Sequence, residues 1–273
     1  MDSAEAITVP WSCLSLYNTK IIIEYNGTRF FGWGIQPDRV TIQGEIEKAL
    51  EKITGDKITL IGAGRTDAGV HATGQVANFA TQSKMNAGII AKALNANLPC
   101  DIRIVDAQDV DYDFHSRFSA KSKLYVYNVL FGRYVPAFLK DFVYGVFQAI
   151  NVDDMNRAAE ELIGEHDFSS FCIVDGMTGK NFTRKIISLK IEERDVSIYP
   201  LQYDQRFCKV VSFSIRANGF LYKMVRGIAG TLLDVGRGRI THEDVKNILD
   251  AKDRRLAGPN VPGRGLCLVN VEY

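Results

Sequence analysis

Apolar and polar positions alternate along the chain in two rhythms that predict strands and helices in turn. Thr19 to Tyr25 is a β-branched run closed by Asn26-Gly27, the pattern of a strand running into a turn. Ile42, Ile46, Ala49, Leu50 and Ile53 then share one face at helical spacing, while Glu45, Glu47, Lys48 and Lys52 fall off it. Thr41 is the expected N-cap of that helix, which runs to about Thr54. Ile58 to Ile61 and Gln75 to Thr81 read as strands on either side of a glycine-rich stretch. Asn86 opens a second predicted helix, Pro99 stops it, and Ile102 to Val105 is another strand.

The second half repeats the alternation. Leu124 to Phe131 predicts a strand with Tyr125, Tyr127 and Val129 on one face. Residues 152–163 predict a helix with Met155, Ala159, Leu162 and Ile163 inward. Arg184 to Glu193 and Lys209 to Ala217 read as antiparallel strands, and Phe220 to about Val235 as a helix. Met224, Ile228, Leu232 and Val235 form the expected buried face of that helix, with Arg226 nearly opposite. Thr241 and Asp244 have capping-box spacing for a helix to about Lys252, and Leu266 to Tyr273 is the last strand. The predicted fold class is α+β: a mixed, mainly antiparallel sheet with helices on its faces. The expected organisation is an extension over 1–18, an N-terminal α/β half over 19–112 and a C-terminal half over 113–273.

Composition narrows the function classes. With 33 Lys and Arg against 32 Asp and Glu, the net charge is +1, so a nucleic-acid partner needs a local basic patch. Five scattered cysteines without a C-x-x-C pair argue for a reducing compartment, and four dispersed histidines show no metal-ligand spacing. No run approaches the roughly 18 apolar residues of a membrane span. Residues 1–17 lack a basic n-region and include Asp2 and Glu5, which argues against a secretion signal. The expected location is the cytoplasm, with an organelle left open.

Candidate chemistry centres on Gly62-Ala63-Gly64-Arg65-Thr66-Asp67-Ala68-Gly69-Val70-His71. Four glycines between residue 62 and residue 74 mark a tight, shaped loop able to aim Arg65 and Asp67 outward. It is not a phosphate loop. Position 67 of the dinucleotide spacing is Asp, and Val70 and His71 occupy the places of the P-loop Lys and Ser/Thr. A central carboxylate would also repel phosphate, so no nucleotide cofactor is expected. Three further stretches stand out. Phe114 to Tyr127 mixes Arg117, Lys121 and Lys123 with aromatics, suited to a nucleic-acid backbone and its bases. Asn218 to Arg226 enters a helix, and Gly258 to Leu266 fixes a loop with two prolines and three glycines.

Taken in order, these segments resemble the TruA-type tRNA pseudouridine synthases. The resemblance is carried by Thr41-x-Gln43, the Gly64 to Ala72 loop, Ala93-Leu94-Asn95, and Arg117-Phe118-Ser119-Ala120 followed by Tyr125-x-Tyr127. It continues through His166 to Phe171, Asn218 to Arg226 and Gly265-Leu266, and covers residues 19–273. It implies two similar α/β subdomains whose sheets form one extended platform, a central RNA-binding cleft, a homodimer, and a tRNA substrate. It also implies isomerisation of uridine to pseudouridine at anticodon-arm positions 38, 39 and 40, with no cofactor and no metal.

By the same resemblance Asp67 is the catalytic aspartate, Arg226 its basic partner and Tyr125 the tyrosine that stacks on the target base. Arg65 is expected to enter the stem behind the flipped uridine; Arg117 and Lys123 to contact phosphate; His71 and Gln43 to complete the substrate-binding set. The sequence leaves open whether Asp67 attacks C1′, attacks uracil C6 or abstracts a ribose proton. Two positions depart from the family pattern: Gly34 stands where Gln is common, and Lys223 where His or Asn is common. The rival readings are a synthase for other tRNA positions or other RNA, and an RNA binder that has lost catalysis. An intact Asp67, Tyr125 and Arg226 argues against the second, because a pure binder needs no nucleophile.

Overall fold

The computed structural model describes residues 16–174, 181–197 and 207–273. In chain order its elements are β1 (Tyr17–Tyr25), α1 (Ile42–Thr54), β2 (Ile61–Gly62), β3 (His71–Thr81), α2 (Ala87–Asn97) and β4 (Ile102–Val110). There follow β5 (Ser122–Phe131), β6 (Tyr144–Val146), α3 (Val152–Glu160), β7 (Gly164–Asp167), β8 (Thr183–Ser197) and β9 (Phe207–Ala217). The chain ends with α4 (Met224–Gly236), α5 (His242–Ala251) and β10 (Leu266–Glu272). Thr41 caps α1 through its side chain, Asn86 caps α2, and Thr241 with Asp244 forms the expected capping box of α5.

One sheet runs through the molecule in the order β4-β1-β3-β10-β5-β9-β8-β7. Along this order neighbours are antiparallel except at the seam, where Cys267 and Leu268 of β10 pair in parallel with His71 and Ala72 of β3; off it, β2 pairs antiparallel with β3 and the short β6 parallel with β5. The last strand of the chain therefore lies between the two halves, hydrogen-bonded to β3 on one side and β5 on the other. Helices α1 and α2 pack over the first half, α2 against β1 and β4; α3, α4 and α5 pack together over the second, with α4 against β5. A single hydrophobic core extends from Ile21 in β1 through Tyr127 in β5 and Ile228 in α4 to Val271 in β10. This is the α+β architecture with a shared platform, and it brings the loop before β3 opposite the start of α4.

Several boundaries differ from the sequence pattern, each for a local reason. β1 begins at Tyr17 because Asn18 is buried and donates to the carbonyls of Asp111 and Phe114; residues 1–15 of the expected extension lie outside the described residues. Ile58 and Leu60 are buried without joining a strand, and only Ile61 and Gly62 pair with β3. β3 starts at His71, not Gln75. α3 stops at Glu160, and Gly164, with φ of +113°, turns the chain into β7; Leu162 is buried but Ile163 is exposed. β4 runs past Val105 to Val110 as a partner of β1. α4 begins at Met224, because Lys223 sits in the left-handed region and cannot belong to the helix. Its buried surface is wider than one face: every residue from Met224 to Gly236 is buried except Arg226. A Cβ on Gly230 would stand 1.8 Å from the Pro259 carbonyl oxygen, so glycine is what lets that loop close on the helix.

Candidate active site

The loop from Gly62 to Gly69 is held by its carbonyls. Lys123 Nζ donates to Ala63 O at 2.6 Å, Gln75 Nε2 to Gly64 O at 2.9 Å and the Trp33 amide to Thr66 O at 3.0 Å. The Val70 amide closes a turn on Asp67 O, and the hydroxyls of Tyr25 and Thr66 meet at 2.7 Å. Gln75 is fully buried, so its amide has no competing water. The glycines serve mainly internal packing. A Cβ on Gly62 would stand 2.7 Å from the Trp33 ring, and one on Gly74 2.2 Å from Val269 O of β10. They let the protein's own ring and strand approach the loop, rather than a ligand.

Asp67 emerges from this frame toward α4, where Arg226 Nη1 donates to its Oδ2 at 2.7 Å. Arg226 is itself aimed by Nε, which donates to Val261 O at 2.6 Å. The pair is mostly shielded, the side chains retaining 24% and 15% exposure. Such a pair is stable only when geometry and extra hydrogen bonds offset desolvation, and the Val261 bond supplies one of them. Asp67 lines a cleft of about 1130 Å³, larger than a single nucleoside needs. Tyr125 and Arg226 line it as well.

Tyr125 is 7% exposed, its ring edge-on to Phe220 with centroids 5.0 Å apart. Burial first, then the charges near it including Asp67, push its phenol far above the usual range. At neutral pH it is a ring surface with an O–H donor and not a phenolate. Lys123, two residues earlier on the same face of β5, has its pKa lowered to about 8 by burial, then by Arg117 and Arg184.

The other expected site residues divide into two groups. Arg65 and Arg117 are exposed on the cleft; Arg65 lies against Gly34, and the Arg117 guanidinium sits 5.5 Å from the Phe118 ring centre. A residue larger than glycine at position 34 would meet the Arg65 side chain first. Gln43 also lines the cleft, but its amide already donates to Glu47 Oε1 at 2.8 Å and Leu60 O at 3.2 Å. His71 is placed elsewhere. It is 5% exposed, accepts from the Gly27 amide at Nδ1, and at Nε2 meets the carbonyls of Asp141 and Arg264 at 2.7 and 3.1 Å. Both ring nitrogens are used inside the protein, which favours a supporting role over a substrate contact, and burial lowers its pKa. Gln75, Tyr25, Phe220 and the Val261 carbonyl support the site residues by hydrogen bonds and ring packing, contacts that the sequence did not assign. The one signal was Gln75, a polar residue opening an apolar run. Among the described residues no group of His, Cys, Asp and Glu is placed to hold a metal ion, and no helix is long and apolar enough to cross a membrane.

A family model described as tRNA pseudouridine synthase matches residues 21–119 and 158–273, which include Asp67 and Arg226, with Lys123 and Tyr125 between the two stretches. The chain is 44% identical over 258 residues to tRNA pseudouridine synthase A of Caldicellulosiruptor bescii, covering 94% of this chain and 99% of that protein. The corresponding proteins of Caldicellulosiruptor saccharolyticus and Acetivibrio thermocellus are 45% and 42% identical with the same coverage. A loop that aims one carboxylate at one guanidinium, across the seam of a mixed sheet, is thus found in a chain that belongs to the tRNA pseudouridine synthase family.

Proposed function

We propose that this protein isomerises uridine to pseudouridine in tRNA, at positions 38, 39 and 40 of the anticodon arm. The observation that carries the reading is the Asp67–Arg226 contact at 2.7 Å on the wall of a cleft that Tyr125 also lines. In the reaction N1–C1′ breaks, the uracil turns, and C5 bonds to C1′; C5 loses a proton and N1 gains one. Atoms and electrons balance within the substrate, so no redox partner or energy source is needed. Asp67 is the nucleophile, held in place by Arg226. Tyr125 stacks on the flipped base, worth about 1–3 kcal/mol, which offsets much of the few kcal/mol needed to unstack it. Arg65 fills the gap left in the stem, and Arg117 binds backbone phosphate.

The test is release of tritium from uridine labelled at C5 in unmodified tRNA, followed by mapping of the product positions. Product at 38, 39 and 40 is expected. Product elsewhere would favour the alternative of a synthase for other positions, and binding without release would favour a silent RNA binder. We further infer that the protein works as a homodimer in the cytoplasm. Sedimentation equilibrium at micromolar concentration checks the dimer.

A further inference from the structure

Lys123 and Arg117 line the cleft, Arg184 lies near Lys123 beyond its lining, and among the described residues none of the three is ion-paired. Lys123, Ala217 and Ile186 lie abreast across β5, β9 and β8, and Arg184 is two residues before Ile186 on the same face of β8. The Arg184 stem passes Gly219, where a Cβ would stand 3.6 Å from its Nε, beside the cleft-lining residues Cys172, Phe182 and Phe220. Arg117 and Arg184 both press on Lys123 electrostatically, and burial disfavours the charge of Lys123 and of Arg184. Withdrawing cations from water without a counter-ion costs free energy, and an anion that enters later recovers it. The chain's net charge of +1 means that attraction for RNA has to come from such a cluster.

The hydrogen bonds of Arg184 say which anion fits. Its Nη1 donates to the carbonyls of Asn181 at 3.1 Å and Thr183 at 2.7 Å, which fixes the guanidinium plane. Its Nε and Nη2 have no partner among the described residues. That pair of N–H groups is the edge with which arginine grips a phosphate through two parallel bonds. We propose that Arg184 binds a backbone phosphodiester of a nucleotide flanking the target uridine, with Lys123 and Arg117 supplying the surrounding positive field. The inference rests on the reading of this protein as an RNA-modifying enzyme and adds to it an anchor that the sequence did not suggest.

The experiment measures binding of a synthetic anticodon stem-loop hairpin over a series of salt concentrations for the wild type, Arg184→Gln and Arg184→Lys, with tritium release at saturating RNA alongside. For Arg184→Gln the slope of log affinity against log salt should fall by roughly 0.7–0.9, and Kd at low salt should rise about tenfold. Turnover at saturation should stay within about twofold of wild type, since only ground-state binding is lost. Arg184→Lys should keep the slope and lose part of the affinity. An unchanged slope in Arg184→Gln, or a slope lost equally in Arg184→Lys, overturns the phosphate seat, as does lost turnover with unchanged Kd. Failure of the underlying reading looks different: the wild type would bind the hairpin and release no tritium.

Discussion

The two sides of the cleft are built on opposite plans. On the loop side, the carbonyls of Ala63, Gly64, Thr66 and Asp67 each accept a hydrogen bond, and Asp67 is held by Arg226. On and beside the rim, exposed rings carry cations: Arg117 over Phe118, Lys223 over Tyr222, Arg39 over Phe31. Phe118 is 76% exposed, far beyond what packing requires. A preorganised acid loses little entropy when the reaction begins, so the pinned side suits chemistry. Loosely stacked cations and rings exchange their mutual contacts for bases and phosphates at small cost, so the rim suits binding. The contrast predicts that variants of the first side lose turnover and variants of the second lose affinity.

The largest effect belongs to Asp67→Asn, which keeps the shape of the loop and removes the proposed nucleophile. Tritium release should fall by about 10⁴-fold or more, while hairpin affinity changes by less than about threefold. An active Asp67→Asn protein would end the nucleophile assignment. Next comes Arg226→Ala. It leaves Asp67 without its partner and should lower turnover by about 10²–10³-fold with little change in affinity. Arg226→Lys sharpens the point, because an ammonium on a flexible stem cannot hold both Val261 O and Asp67 Oδ2 as the fork does. It should recover only part of the rate; recovery in full would mean that charge alone matters.

How far the sequence foretold this arrangement follows the same division. Periodic elements were readable because their own residues determine them: α1 and α5 begin at the caps that Thr41 and Thr241 announce. Asp67 and Arg226 were legible through a family resemblance, whereas their contact spans 159 positions and no local pattern encodes it. The start of α4 was missed because the left-handed backbone at Lys223 has no signature when the residue is lysine. The bonds of His71 were hidden for a related reason. A histidine beside a catalytic loop looks functional until its nitrogens are seen to be spent on Gly27, Asp141 and Arg264, which lie far away in the chain.

On the rim the expected losses are smaller and fall on binding. Arg117→Ala should raise Kd for the hairpin about tenfold and leave saturating turnover nearly unchanged. A fall in turnover at unchanged affinity would move Arg117 to the other side of the comparison. Lys123 belongs to both sides, since its ammonium ties Ala63 O and faces the cleft. Because its pKa lies at about 8, affinity of the free protein for RNA should weaken as pH rises through that value. Lys123→Arg, charged throughout, should flatten the decline. A decline of equal steepness in that variant would assign it to another group.

The smallest effect tests whether the pinned side extends as far as His71. Burial lowers its pKa below the ordinary 6.5, so the unfolded chain takes up a proton there more readily than the folded protein does. The stability that neutral His71 contributes is therefore complete above about pH 6.5 and is lost progressively as pH falls from there toward the folded-state value. His71→Gln cannot reproduce the Gly27 bond and both carbonyl contacts at once, and should cost about 1–2 kcal/mol at pH 8. Having no proton to gain, glutamine should also escape the acid loss, so the difference in urea midpoint between wild type and variant should narrow at pH 5.5. A difference that stays constant would mean that the folded protein accommodates the imidazolium without penalty. An effect on RNA affinity at pH 8 without any on stability would return His71 to the substrate-binding set.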